Sequence, residues 1–234
     1  MDNNFINKVL SRILEIKSLD KKTIFSISTT AKQEENAYLT PVRICKDFIL
    51  AGCIIFDQKN LTSLLEKIDS EVDIILADSE KGIPLHVGGS NYKLDKEVSQ
   101  LGIETISNIC FQHIKKSQIF EFKPNDLTVN AMWSFLSQRL NFLSEKRISI
   151  LGAGNIGSKL ALKLVECGAE IHLYRRDAYK GNKIVNGLNL IKPENVVVNI
   201  QFHSDPMQAS LMSDVLIGTA SGYPVIDENI INNV

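Results

Sequence analysis

The stretch RISILGAGNIGSKLALKLVECGAEIHLYRRD, residues 147–177, permits very few local structures. RISIL reads as a strand, and NIGSKLALKLVECG reads as a helix that stops at Gly168 before a second strand, EIHLY. Gly152, Gly154 and Gly157 lie between the first strand and the body of the helix. A glycine triplet alone is weak evidence, but the strand before it and the helix after it make a strand-loop-helix unit that can hold a dinucleotide. Each glycine has its own reason to be there. Gly152 allows the tight turn, Gly154 lets the main chain approach a pyrophosphate, and Gly157 lets helix and strand pack closely. Asn155 and Ile156 open the helix, where unpaired N–H groups and the positive end of the helix dipole favour phosphate. The competing reading is an ordinary strand-turn-helix with convenient glycines.

The second strand ends unusually. Eighteen residues beyond Gly157, where an NAD-binding site carries an acid for the ribose hydroxyls, the chain has Arg175 and then Arg176. Guanidinium groups match a 2′-phosphate, so NADP is favoured over NAD, against the plainer reading of a solvated turn. A site for S-adenosylmethionine would also need an acid there. Further on, NVVVNIQFHSDP (195–206) and SDVLIGTASG (213–222) read as the next strands, with MQASLM between them. The small residues Thr219 and Ala220 then fall on the nicotinamide side of the site. A complete Rossmann lobe adds at least one more strand, so the chain reads as a fragment or as a shortened relative, and an absent strand would leave an exposed sheet edge that a second copy would cover.

The first half alternates helical and extended signals. NFINKVLSRILEIKS (3–17) places Phe5, Val9, Ile13 and Ile16 near one face, as an amphipathic helix does. TIFSIS (23–28), VDIILAD (72–78) and IETISNICF (103–111) read as strands and NLTSLLEKI (60–68) as a helix. DFILAGCIIFD (47–57) reads as a helix end, a turn at Gly52 and a strand at 53–56. The whole is α/β: two lobes, each a mainly parallel sheet with helices on both faces, the second Rossmann-like. The expected division is a substrate-type lobe at 1–124, a connecting helix and linker at 125–144 with Asn125 or Asp126 as N-cap, and a nucleotide lobe at 145–234.

Charge narrows the partners. With 26 Lys and Arg against 27 Asp and Glu, nothing favours nucleic acid or an anionic membrane over a small molecule. No apolar run approaches the roughly 18 residues of a membrane span. The chain opens without a signal-peptide pattern, and its four cysteines form no CxxC pair, so they read as reduced thiols in a cytoplasmic protein. The four histidines lack zinc spacing, and no structural metal is expected.

Four segments together resemble the superfamily of alanine dehydrogenase, transhydrogenase and lysine-forming saccharopine dehydrogenase. KQEENAYLTPVRICKDFILAGCIIFD (32–57) is similar to its first-lobe opening through Leu39, Thr40, Pro41 and Gly52, and HSDPMQASLMSDVLIGTA (203–220) to its nucleotide lobe. EKGIP (80–84) places Lys81 where the family's catalytic lysine sits, and FQHIKKSQ (111–118) places His113 where its catalytic histidine sits. Asn36 falls near the family's substrate-binding arginine, and the spacer LHVGGSNYKLDKEVSQ (85–100) is long. Asp78 and Glu80 are candidates for orienting Lys81. The resemblance implies an NAD(P)-dependent oxidoreductase acting on an amino acid, imine or 2-oxo acid in a cleft between the lobes, as a homo-oligomer. Lysine and histidine would move the proton while hydride moves to or from nicotinamide. For Lys81 and His113 an exposed turn lysine and a polar strand end are the plain alternatives. A shikimate-type or methylene-tetrahydrofolate-type dehydrogenase is a related reading, with Asn125 and Asp126 on the substrate. A non-catalytic dinucleotide-binding or assembly protein is a reading of another class.

Overall fold

The structure is a computed structural model that describes residues 3–30, 36–85, 102–220, 224–232 and 234. Residues 32–35 of the first-lobe opening, most of the 85–100 spacer, and Ser221 and Gly222 lie outside the described residues. The chain divides into two compact units, Met1–Pro124 and Asn125–Val234. In both, mainly parallel strands are flanked by helices, an α/β architecture.

The first unit opens with α1 (Asn3–Lys17), whose Val9, Ile13 and Ile16 are buried at helical spacing. It continues with β1 (Lys22–Ser28), the short β2 (Tyr38–Leu39) and β3 (Arg43–Ile44), β4 (Phe48–Ile54), α2 (Gln58–Ile68) and β5 (Ile74–Asp78). A small hairpin, β6 (Gly82–Ile83) with β7 (Glu104–Thr105), leads into α3 (Ile106–His113) and β8 (Gln118–Phe122). The parallel strands lie in the order β4-β1-β5-β8, while β2 and β3 run antiparallel along β4. Phe25, Ile27, Ile49 and Ile75 alternate along the strands and share one core with Ile13, Leu61, Leu64, Leu65, Ile106 and Ile109 from the helices. Burying each such side chain contributes roughly 2 kcal/mol. Cys53 and Cys110 sit in this core, where burial pushes both thiols up, Cys110 to about 12. Buried thiols of this kind are unreactive.

Two segments differ from their sequence reading. Residues 48–54 form one uninterrupted strand rather than a helix end and a turn. Gly52 is there for close approach: a Cβ would lie 2.1 Å from the Ser26 hydroxyl oxygen and 2.4 Å from the Ser26 carbonyl oxygen on β1. A Gly52→Ala protein is therefore expected to lose about 2–3 kcal/mol in urea unfolding, since the overlap includes main chain. Residues 106–113, read as part of a strand, form a helix. Thr105 caps it by accepting the Asn108 N–H at 3.3 Å, and Ile106, Ile109 and Cys110 are buried at helical spacing. A short apolar run fits either period, and the capping threonine decides it.

All but the first residue of α4 (Pro124–Arg139) belongs to the second unit. The first residue of the helix is Pro124, so neither Asn125 nor Asp126 is the N-cap. Val129 and Leu136 are buried in the core of the second unit. Then come β9 (Arg147–Leu151), α5 (Asn155–Val165), β10 (Glu170–Tyr174), α6 (Ala178–Ile191), β11 (Ile200–His203), α7 (Pro206–Ser210), β12 (Val215–Gly218) and α8 (Glu228–Ile231). Of the apolar run at 195–203 only the last four residues pair, and Val197 is 91% exposed. All four strands are parallel, in the order β11-β10-β9-β12. This is the 3-2-1-4 order of a Rossmann half, and ligands bind such sheets where the order reverses, here between β9 and β12. Among the described residues no helix is long and apolar enough to cross a membrane.

Candidate functional site

At the carboxyl end of β9 the chain turns at Gly152, whose φ of 131° is a conformation that side-chain-bearing residues rarely adopt. A Cβ there would lie 2.6 Å from the Ala220 nitrogen. Gly157 packs inward, and its Cβ would lie 1.9 Å from the Gly152 carbonyl oxygen and 2.6 Å from Thr219 Oγ1. These two glycines are required by the loop's own packing. Gly154 is different, because nothing lies within 4 Å of its Cβ position. Its φ of −93° suits any residue. The open space over Gly154 is what a bound pyrophosphate would need.

Helix α5 begins beside that space. Gly154 is its N-cap and supplies no side-chain hydrogen bond, so the N–H groups of the first turn, including those of Asn155 and Ile156, have no intrahelical partner. They and the helix dipole favour an anion. Thr219, one residue past β12, braces the turn: its hydroxyl donates to the Gly152 carbonyl at 2.5 Å and its N–H to Leu151 at 3.0 Å. Thr219 thus spends its proton on the loop, and Ala220 contributes main chain.

The arginines divide their work. Arg175, half-buried, donates through Nη1 to the Ala153 carbonyl and so holds the glycine loop to the end of β10. Arg176 is exposed at the rim. The acid that follows, Asp177, accepts the Lys180 N–H at 3.0 Å as N-cap of α6, and that bond chiefly holds its carboxyl below the usual range. A cleft of about 230 Å³ is lined by these groups together with Gly152, Gly154 and Tyr174. The residues present fit the phosphate-bearing part of a dinucleotide, and the one acid among them, Asp177, has its carboxylate engaged by the Lys180 N–H. Ala153 and Tyr174 were not apparent in the sequence as parts of the site. Their position beside the glycines and arginines is the only signal they carry.

In the first unit, Lys81 follows β5 and its Nζ donates to the Thr29 carbonyl at 3.1 Å, just past the carboxyl end of β1. Asp78, fully buried, accepts the Ser28 hydroxyl at 2.6 Å and the Glu80 N–H at 2.8 Å. It fixes the turn one residue before Lys81. This is again where the strand order reverses, between β1 and β5. Ser28 and Thr29 are the neighbours that the sequence did not single out. Asn36 is exposed, and Leu39 pairs with Cys53 in β2.

His113 does not join Lys81. Helix α3 starts at the carboxyl end of the sheet, where Thr105 pairs with Gly82, and its eight residues run about 12 Å the other way. The chain just beyond it, Lys115 to Ser117, is held by three N–H bonds to Asp69, and Gln118 N–H reaches Asp73 at the start of β5. His113 therefore lies at the amino end of the sheet. Reading 103–111 as a strand reversed its direction. In the second unit, Asp126 pairs with Lys159 at 2.6 Å.

No protein-family model and no curated protein matches the chain. Solved structures do match at low identity. Shikimate dehydrogenase from Aquifex aeolicus is 14% identical over 90% of this chain and 75% of its own, with a TM-score of 0.46. A mitochondrial ornithine carbamoyltransferase from Coccidioides immitis is 14% identical over 98% and 76%, with a TM-score of 0.47. The 5-ketofructose reductase of Gluconobacter sp. strain CHM43 is 17% identical over 86% and 69%, with a TM-score of 0.41. Likeness at this level carries no argument about chemistry.

Proposed function

We propose that the chain is an NADP-dependent oxidoreductase acting on an amino acid, imine or 2-oxo acid. The observation that carries this reading is the open space over Gly154, beside the uncapped start of α5 and the two arginines. The loop does not need a glycine there, whereas a pyrophosphate does. The first-turn N–H groups of α5 would hold the pyrophosphate, and Arg176, with the remaining donors of Arg175, the 2′-phosphate. When bound, the dinucleotide supplies or accepts a hydride. Lys81, pinned to Thr29 at the strand-order reversal of the first unit, is the group proposed to meet the substrate and to hold or move a proton at its amine or carbonyl.

The test is a fluorescence titration with NADPH and NADH. Arg176→Ala is expected to weaken NADPH about tenfold or more, leaving NADH unchanged, since a phosphate-guanidinium contact is charge-assisted. Arg175→Ala is expected to weaken both cofactors, because its guanidinium also holds Ala153. Binding of neither cofactor by the parent protein would sink the proposal.

A second reading, a non-catalytic dinucleotide-binding protein, is favoured by the placement of His113, which leaves Lys81 without the histidine that the resemblance implies. NADPH binding with no oxidation across a panel of 2-oxo acids and ammonia would support it. Oxidation that is lost in Lys81→Met would exclude it. The shikimate-type reading gains nothing from Asp126, which is engaged by Lys159.

A further inference from the structure

One face of the second unit's sheet carries an unusual polar row. Arg147 on β9, Glu170 and His172 on β10, and His203 on β11 all project to it, as the strand register requires. His172 is 1% exposed. Its Nε2 lies 2.8 Å from a Glu170 carboxylate oxygen, and its Nδ1 lies 2.7 Å from His203 Nε2 and 3.4 Å from Arg147 Nη2. The two rings stack with centroids 4.9 Å apart.

The partners set the protons. An ionised carboxylate only accepts, so His172 carries its proton on Nε2 and presents a bare Nδ1. His203 Nε2–H and the Arg147 guanidinium donate to that nitrogen. A proton added to His203 would place a second cation beside Arg147. The groups that face the pair are the Arg147 cation on β9, the Glu170 carboxylate on β10 and Asp205, which caps α7 by accepting the Met207 N–H at 3.1 Å. Helix α7 itself, PMQAS, brings no charged side chain. Burial, then His172, then Arg147 lower the His203 value from the ordinary 6.5, against Asp205.

The pair joins β10 to an edge strand that is also held from α6, where the Asn189 side chain bonds both the N–H and the carbonyl of Ile200. β11 is an edge strand, and α7 is a five-residue helix tied to β9 by the Ser149 hydroxyl on the Ala209 carbonyl. We propose that the His172–His203 pair is an acid-sensitive latch: it keeps β11 and α7 on the sheet while both rings are neutral and releases them when the pair takes up a proton. Because the folded value of His203 is depressed, the stabilisation is complete above the ordinary histidine value and is lost as pH falls below it.

The test is amide hydrogen exchange of the full chain at pH 7.5 and 5.0, corrected for intrinsic rates, followed in residues 200–210. Exchange there is expected to rise on acidification by up to about tenfold per pH unit, the limit for one proton. His203→Gln keeps an uncharged N–H donor and is expected to remove the rise. An equal rise in both proteins, or none in the parent, overturns the latch. Should the variant fail to fold, histidine nitrogen shifts in the parent decide. The latch requires His203 to be neutral at pH 7.5 and to gain its proton as residues 200–210 open. Protonation with those amides still protected overturns it.

Discussion

Gly154→Ala is expected to fold like the parent and to bind NADPH about 100-fold more weakly, whereas Gly157→Ala is expected not to fold normally. Both substitutions add one methyl group, to positions three residues apart in one loop. At Gly154 the methyl enters open space, with backbone angles that alanine adopts freely, so the folding cost is the loss of a good N-cap residue, about 1 kcal/mol. That space is the proposed path of the pyrophosphate, and 100-fold corresponds to about 2.7 kcal/mol of lost binding. At Gly157 the methyl would meet the Gly152 carbonyl oxygen and Thr219 Oγ1, and the main chain must shift, at about 3 kcal/mol or more. Thermal unfolding with NADPH titration separates the two outcomes. Undiminished binding in Gly154→Ala would mean that the space over Gly154 holds no phosphate.

Asp69→Ala is expected to destabilise the protein by about 2–3 kcal/mol at pH 7 and by far less at pH 2.5. Asp69 follows α2, and its carboxylate accepts the N–H groups of Lys115, Lys116 and Ser117, each at 3.0 Å. Burial pushes the carboxyl up, but those bonds outweigh it and hold it below the usual carboxylate range. Asp73 is lowered in the same way, chiefly by the Thr23 N–H at 2.7 Å and then by its hydroxyl at 2.8 Å. A depressed folded value means that the stabilisation is fully present above about pH 5 and is lost as pH falls through that value. Urea unfolding of parent and variant at the two pH values gives the difference. A gap that stays constant with pH would show that the ionised carboxylate is not what holds residues 115–117.

Much of the second unit was legible because its signals are local. Strand, glycine loop, helix and second strand follow one another within residues 147–174, and each glycine's task depends on neighbours a few residues away or on the next strand in the sheet. The first unit was harder. IETISNICF suits a buried strand or a buried helix, and that choice decides which end of the sheet receives His113, because a helix between parallel strands runs back against them. Gly52 was misread for a related reason: a glycine needed for close approach looks, in sequence, like one needed for a turn.

The amino-acid sequence by itself determined the α/β class, the glycine loop and the pair of arginines at the strand end, since these rest on short-range periodicity and spacing. Only the tertiary structure decided which groups meet: Thr219 with the Gly152 carbonyl, Arg175 with Ala153, Asp78 with Ser28, and the two histidines with each other. Those partners are 22 to 67 residues apart along the chain, and strand order and register, fixed by burial of the apolar faces, bring them together.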